Sequence, residues 1–229
     1  MDIKDFSIQA NEVHLWRAPL TINTADENIF LSSLSTDEKI RAERFHFPQH
    51  RRRFIAARGL LRKLLSYYQH TQPEKIIFQT HLRGKPYLAN TSLQFNVSHS
   101  DEMAVFAVTN NFSIGVDIEK IKQDFNAGVA ERYFHPDEYT FILSLPEAKQ
   151  AAEFYRIWSR KEAWVKALGE GLHYKLSSFS VLEDKPMGWH IESFAAHPDY
   201  QSAFAAQHDV GKVCYFEWVD KQPLLLRSF

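Results

Sequence analysis

The polar and apolar positions of this chain switch between a helical period and a strand period, which predicts a mixed order of helices and strands. Ser35-Thr36-Asp37-Glu38 has the capping-box pattern, so a helix is expected to start there. A second helix is expected after Pro48, with Phe54, Leu61, Leu64 and Tyr68 at helical spacing. Gly84-Lys85-Pro86-Tyr87 reads as a turn. Residues 93–97 and 103–109 read as strands split by a polar elbow, Ser98-His99-Ser100. Asn110-Asn111 is a turn signal before a strand at 114–119, which predicts a hairpin across it. Residues 131–143 read as helical, and His135-Pro136-Asp137-Glu138 has the proline and acids of a helix start. That tetrad has too few ligands for a closed zinc site. Ser144-Leu145-Pro146-Glu147 reads as another capping box, opening a helix that runs to about Leu168 and stops at Gly169. From Leu176 onward, Phe179-Ser180-Val181-Leu182 and Cys214-Tyr215-Phe216-Glu217-Trp218 read as strands among loops. The order implies α+β architecture, with no short-period repeat and no long linker.

Three carboxylates stand out against this pattern. In Ile114-Gly115-Val116-Asp117-Ile118-Glu119 the side chains alternate, so Ile114, Val116 and Ile118 share one face and Asp117 and Glu119 the other. Two like charges on one strand face either stay solvated or hold a cation between them, and Mg²⁺ is the natural hard cation for oxygen ligands. On the helix before Gly169, Ala151, Tyr155, Trp158 and Val165 form an apolar stripe with Glu162 near its centre. A buried Glu162 must be protonated, paired or bound to metal, and Lys166, one turn on, offers the local pair. Lys161 points about 100° away from this stripe.

The charge of the chain narrows the partners. Its 229 residues carry 27 Lys and Arg against 28 Asp and Glu, and 45% are hydrophobic, enough for a sizeable core. The basic groups nevertheless concentrate in the first two helices, at Lys39, Arg41, Arg44, Arg51, Arg52, Arg53, Arg58, Arg62 and Lys63. Arginine forks suit phosphate, and Ser98-His99-Ser100 adds hydrogen-bond donors. A nucleic-acid binder would use the same helices, but it leaves Asp117, Glu119 and Glu162 unexplained, so no nucleic-acid partner is expected. The start Met1-Asp2-Ile3-Lys4-Asp5 lacks a signal-peptide pattern, and no apolar run approaches the roughly 20 residues that span a bilayer. With the single cysteine Cys214, these features point to a cytoplasmic protein with no membrane partner.

Phe95-Asn96-Val97-Ser98-His99-Ser100, then Gly115-Val116-Asp117-Ile118-Glu119, then Trp158-Ser159-Arg160-Lys161-Glu162-Ala163-Trp164-Val165-Lys166-Ala167 closely resemble the signature blocks of Sfp-type 4′-phosphopantetheinyl transferases. Gly84-Lys85-Pro86 resembles the family's earlier motif, and residues 172–179 its segment after the catalytic helix. The resemblance implies two similar α/β subdomains in one chain, residues 1–112 and 113–229, forming a pseudo-dimer with coenzyme A in the cleft. It implies a holo-carrier-protein synthase, moving 4′-phosphopantetheine from coenzyme A to a serine of an apo acyl or peptidyl carrier protein. The alternative is a non-catalytic module that binds coenzyme A or a carrier protein. By resemblance, Asp117, Glu119 and Glu162 hold Mg²⁺, or Mn²⁺ in its place. Ser98 and His99 contact the coenzyme's phosphates, Lys85 lies near its adenosine end, and Lys166 contacts the phosphate nearer the pantetheine arm. Arg53 binds the 3′-phosphate, and Lys39 and Arg41 lie in the region of two further coenzyme-binding residues. Glu162 is the candidate base, directly or through a bound water, and Lys166 supports the reaction as fixed positive charge. Residues 123–139, with Phe125, Tyr133 and Phe134, are the candidate carrier-docking segment. A pseudo-dimer of this kind is expected to act as a monomer.

Overall fold

The computed structural model describes residues 6–123, 125–171, 174–183, 188–207, 209–219 and 222–228. The expectations placed on Met1 to Asp5, Asp124, Leu172 and His173 lie outside the described residues. The chain opens with β1 (Glu12–Pro19), α1 (Thr24–Ser33), α2 (Thr36–Glu43) and α3 (Pro48–Tyr68). Four strands follow: β2 (Phe78–Thr80), β3 (Pro86–Leu88), β4 (Leu93–Ser100) and β5 (Met103–Asn110). The second course is β6 (Ile114–Lys120), α4 (Ala127–Tyr133), α5 (Pro136–Ser144), α6 (Glu147–Leu168), β7 (His190–Ser193) and β8 (Tyr200–Ala206). The strands β9 (Lys212–Val219) and β10 (Gln222–Ser228) complete it.

The two courses repeat one topology. A strand leads through shorter helices to a helix of 21 or 22 residues, and a pair of antiparallel strands follows. In the first course β5 lies between β1 and β4, and in the second β8 lies between β6 and β7. This is the pair of similar α/β units that the resemblance implies. β9 then pairs parallel to β1, and β10 antiparallel to β9, so the first sheet reads β10-β9-β1-β5-β4 among the described residues.

Alternation along the strands builds the layers. One face of the first sheet, with Trp16, Phe95 and Phe106, packs on Leu60, Leu61 and Leu64 of α3. Its other face, with Val13, Leu15, Val105 and Ala107, packs on Ile114, Val116, Ile118 and Phe204 of the second sheet. Ile191, Ala203 and Ala205 on the far side of that sheet meet Ile157, Ala163 and Trp164 of α6. The order is helix, sheet, sheet, helix.

Several local expectations change. Ser98, His99 and Ser100 are no elbow, because they continue β4 in register with Val105, Ala104 and Met103, and the turn falls at Asp101, where φ is +48°. Asn111 does turn the chain, at φ +70°, but β6 pairs with β8 rather than β5, so no hairpin forms there. The helix expected over 131–143 is two helices, broken at Phe134, whose buried ring anchors an extended residue before the His135 capping box. Ser144 ends α5 and donates to Phe141 O, so it does not cap α6. The N-cap of α6 is Pro146. Residues 179–182 form no strand; a 3-10 turn, Leu176–Ser178, precedes them. Ser35 forms its capping box with Glu38 as expected, and Gly169 ends α6 at φ +75°.

Candidate active site

The site lies where β4 of the first unit runs beside β6 of the second. Asn96, Ser98 and Ser100 alternate along β4 and turn to β6. Asn96 Oδ1 accepts from Val116 N at 2.9 Å, and Ser98 Oγ donates to Asp117 Oδ1 at 2.8 Å. Ser100 Oγ donates to Glu119 Oε2 at 3.0 Å and accepts from Lys120 N at 3.1 Å. The polar residues that interrupt an apolar strand pattern thus supply the join between the units.

α6 crosses β6 at close range because residue 115 is glycine. A Cβ there would sit 2.0 Å from Ala163 O and 2.4 Å from Ala167 N. The approach brings Lys166 Nζ to 2.6 Å from Asp117 Oδ1 and 2.9 Å from Ser98 Oγ. Lys166 therefore pairs with Asp117 on the neighbouring strand and reaches Ser98 across the units' junction, rather than pairing with Glu162 along its own helix. The buried Asp117 carboxylate has the greater need of a counter-charge.

The three acids act on one another. Burial, and then the charge of Asp117, pushes the Glu119 carboxyl up to about 7. The same two causes raise Glu162, with Lys166 opposing them. Asp117 Oδ2 is buried without a hydrogen-bond partner. Among the described residues no three acids, histidines or cysteines are gathered into an assembled metal cluster. The donor set still fits a hard cation: its atoms are carboxylate oxygens, one is orphaned, and a divalent charge would relieve the repulsion that raises Glu119 and Glu162.

Two cavities flank this centre. One, of about 560 Å³, is lined by Arg41, Phe54, Arg58, Gly84, Pro86 and His99 among others. The guanidinium of Arg41 lies 5.2 Å from the centre of the Phe54 ring. His99 is held below its usual pKa by burial, then by the charges of Lys166, Arg53 and Arg41. Arg53 pairs with Asp101 at 2.6 Å and Glu102 at 3.4 Å, beside the turn that ends β4. Lys39 is exposed on α2 and does not line this cavity. Lys85 does not line it either, although its neighbours Gly84 and Pro86 do. Most of the remaining basic density is structural: Arg58 and Arg62 clamp Glu38, and Arg51 and Arg52 share Glu27.

The second cavity, of about 670 Å³, is lined by Glu162, Trp158, Val165, Arg132, Tyr133 and Tyr174 among others. Here the stripe expected to be buried is partly open, since Ala151, Tyr155, Trp158 and Glu162 are only half-buried. The deep face of α6 carries Phe154, Ile157, Lys161 and Trp164. Lys161, which spacing sets aside, is wholly buried against Glu138 at 2.8 Å and donates to Leu176 O at 2.8 Å and Phe179 O at 2.5 Å. Glu138 in turn accepts from His135 N and Val181 N. These contacts fix the segment after α6 that forms part of the cavity wall. Arg132 and Tyr174 were missed as wall residues, because spacing alone does not reveal a partner on another element.

Comparison with known proteins agrees with this arrangement. The profile of the 4′-phosphopantetheinyl transferase superfamily matches residues 113–215, and that of the 4′-phosphopantetheinyl transferase N-terminal region matches residues 23–111. The 4′-phosphopantetheinyl transferase HetI of Nostoc sp. is 40% identical over 173 residues, covering 73% of this chain and 73% of its own. A 4′-phosphopantetheinyl transferase of Bacillus pumilus is 36% identical, covering 74% of this chain and 77% of its own. The 4′-phosphopantetheinyl transferase Sfp of Bacillus subtilis is 30% identical, covering 82% and 91%. With the signature blocks meeting at one junction and relatives matched over most of their length, this chain belongs to the Sfp-type 4′-phosphopantetheinyl transferase family.

Proposed function

We propose that this chain is a holo-carrier-protein synthase, which transfers 4′-phosphopantetheine from coenzyme A to a serine of an apo acyl or peptidyl carrier protein. The observation that carries the reading is the Lys166 ammonium held between Ser98 and Asp117, with a basic cavity on one side and the Glu162 cavity on the other. Arg41 and His99 in the basic cavity suit the coenzyme's phosphates, and Arg53 beside it suits the 3′-phosphate. Lys39, exposed on α2, would add long-range attraction at most.

Asp117, Glu119 and Glu162 would hold Mg²⁺, or Mn²⁺, whose charge would offset the pyrophosphate and orient the leaving group. The carrier serine attacks the phosphorus next to the pantetheine arm. Its Oγ–P bond forms as the bridging P–O bond of the pyrophosphate breaks, and adenosine 3′,5′-bisphosphate leaves. Glu162, raised by burial and facing the second cavity, takes the serine proton. Lys166 and the Ser98 hydroxyl turn to the phosphate oxygens, where negative charge is greatest. The Arg132 and Tyr133 side of the second cavity, within the docking segment expected from resemblance, mixes charge and apolar surface suited to an acidic carrier. We take the enzyme to act as a cytoplasmic monomer; no described helix is long and apolar enough to cross a membrane.

Intact-mass measurement of apo carrier proteins with this protein, coenzyme A and Mg²⁺ tests the reading. A gain of one phosphopantetheine group, lost with a chelator and in Asp117→Ala, is the expected result. Binding of coenzyme A without transfer to fatty-acid, polyketide or peptide carriers would identify a binding module instead.

A further inference from the structure

Lys85 lies on the turn between β2 and β3, in the first unit, yet its ammonium reaches the second. Nζ donates to Ile114 O and to Ala167 O, both at 3.0 Å. Ile114 opens β6, three residues before Asp117, and Ala167 directly follows Lys166 on α6. One ammonium thus joins the two elements that carry the Lys166–Asp117 pair. The flanking residues Gly84 and Pro86 line the basic cavity, so the same turn serves cavity and clamp.

The chemistry of the contact favours a structural charge. The last carbonyls of a helix have no partner within it and carry the negative end of its dipole, so a cation there satisfies both. Two charge-assisted bonds offset the cost of burying the ammonium. That cost shows as a Lys85 pKa pressed down to about 8 by burial. Arg83 reinforces the clamp, pairing with Glu170 just beyond the helix end and donating to its carbonyl at 3.3 Å. The space beside Gly169 is filled by the Lys85 stem, 3.6 Å from where a Cβ would sit.

We propose that the Lys85 side chain is a positioning group: its ammonium ties β6 to the end of α6, holds Lys166 and Asp117 at contact distance, and is not itself a contact to the coenzyme. The role in transfer rests on the function proposed above; the clamp itself does not.

The test compares wild type with Lys85→Met, which keeps the apolar stem. Transfer kinetics give kcat, and calorimetry with adenosine 3′,5′-bisphosphate gives the affinity of the nucleotide cavity. The expected result is a kcat lowered about tenfold or more, because misplacing a reacting group by an ångström can cost 100-fold, with the bisphosphate Kd changed less than about threefold. A bisphosphate Kd weakened about tenfold with kcat retained would overturn the proposal in favour of a coenzyme contact. A lower Tm with both constants unchanged would overturn it in favour of simple stabilisation. If Lys85→Met does not fold, Lys85→Gln, a shorter side chain with a neutral donor, is read by the same split. Amide hydrogen exchange at residues 166–169 separates the clamp from the reaction. Faster exchange there in the variant supports the clamp even if wild type transfers nothing, and unchanged exchange overturns it.

Discussion

Lys166 Nζ lies 2.6 Å from Asp117 Oδ1, and this pair joins α6 to β6, the long helix and the first strand of the second unit. Ser98, from the first unit, touches both partners. Three elements therefore converge on one oxygen, and the Lys166 ammonium paired with it is the cation a phosphate would compete for. Lys166→Met is expected to lower kcat by about 100-fold or more, the usual cost of removing a preorganised charge from a developing anion. Bisphosphate binding in the basic cavity should change much less, because Arg41, His99 and Arg53 stay in place. Steady-state kinetics on an apo carrier protein checks this, and a variant with unaltered kcat would remove Lys166 from the reaction.

Gly115 permits the crossing that forms the pair. In Gly115→Ala the new methyl meets Ala163 O and Ala167 N, both backbone, so α6 must move away from β6. Overpacking of this kind costs about 1–3 kcal/mol, with more expected here because backbone cannot swing aside as a side chain does. Denaturant unfolding should show that loss, and transfer should fall further than stability does. A variant of wild-type stability would mean that the two elements part without strain.

The buried pair Lys161–Glu138 makes a separate prediction. Both side chains are fully buried, and removing one leaves the other charged and unpaired, a loss of about 3–5 kcal/mol. Lys161→Met should therefore destabilise strongly. Replacing both residues by apolar ones should restore only part of the loss, since His135 N and Val181 N would still lack the acceptor that Glu138 provides. Urea midpoints for the two single variants and the double variant measure this. Full recovery in the double variant would show that the charge alone mattered.

The local rules carried much of this fold. The Ser35–Glu38 capping box and the alternation of β6 were legible because each depends on neighbours a few residues apart. The three acids were legible for the same reason, as polar groups out of phase with an apolar pattern. Long-range choices were not. Asn111 turns as its residue type suggests, but which strand receives β6 is decided by Phe204 and its neighbours far along the chain. Lys166 has a local candidate in Glu162 and a tertiary one in Asp117, and burial of Asp117 selects the second. The twofold course of the chain is visible only once both sheets are formed, because it is a repeat of connections.

His14 gives the fold a pH dependence remote from the active site. The ring is buried beside Tyr68, with Nδ1 at 2.7 Å from its hydroxyl, which also accepts from Trp16 Nε1 at 2.9 Å. The arrangement satisfying all three groups has Tyr68 donating its proton to a neutral His14. Burial holds the pKa down at about 4 against an ordinary 6.5, outweighing Glu12, which at 3.6 Å favours the charged ring, while Lys212 adds to the lowering. The folded state then binds fewer protons than the unfolded one between those values, so stability rises with pH across that window. The contribution is complete above pH 6.5 and is lost as pH falls towards 4. His14→Gln keeps an acceptor for Tyr68 but cannot titrate, so its stability should change less between about pH 5 and pH 7 than that of wild type. Urea unfolding of both proteins at the two pH values gives the comparison. Equal changes would mean that His14 is protonated in the folded protein or that other groups set the acid limit.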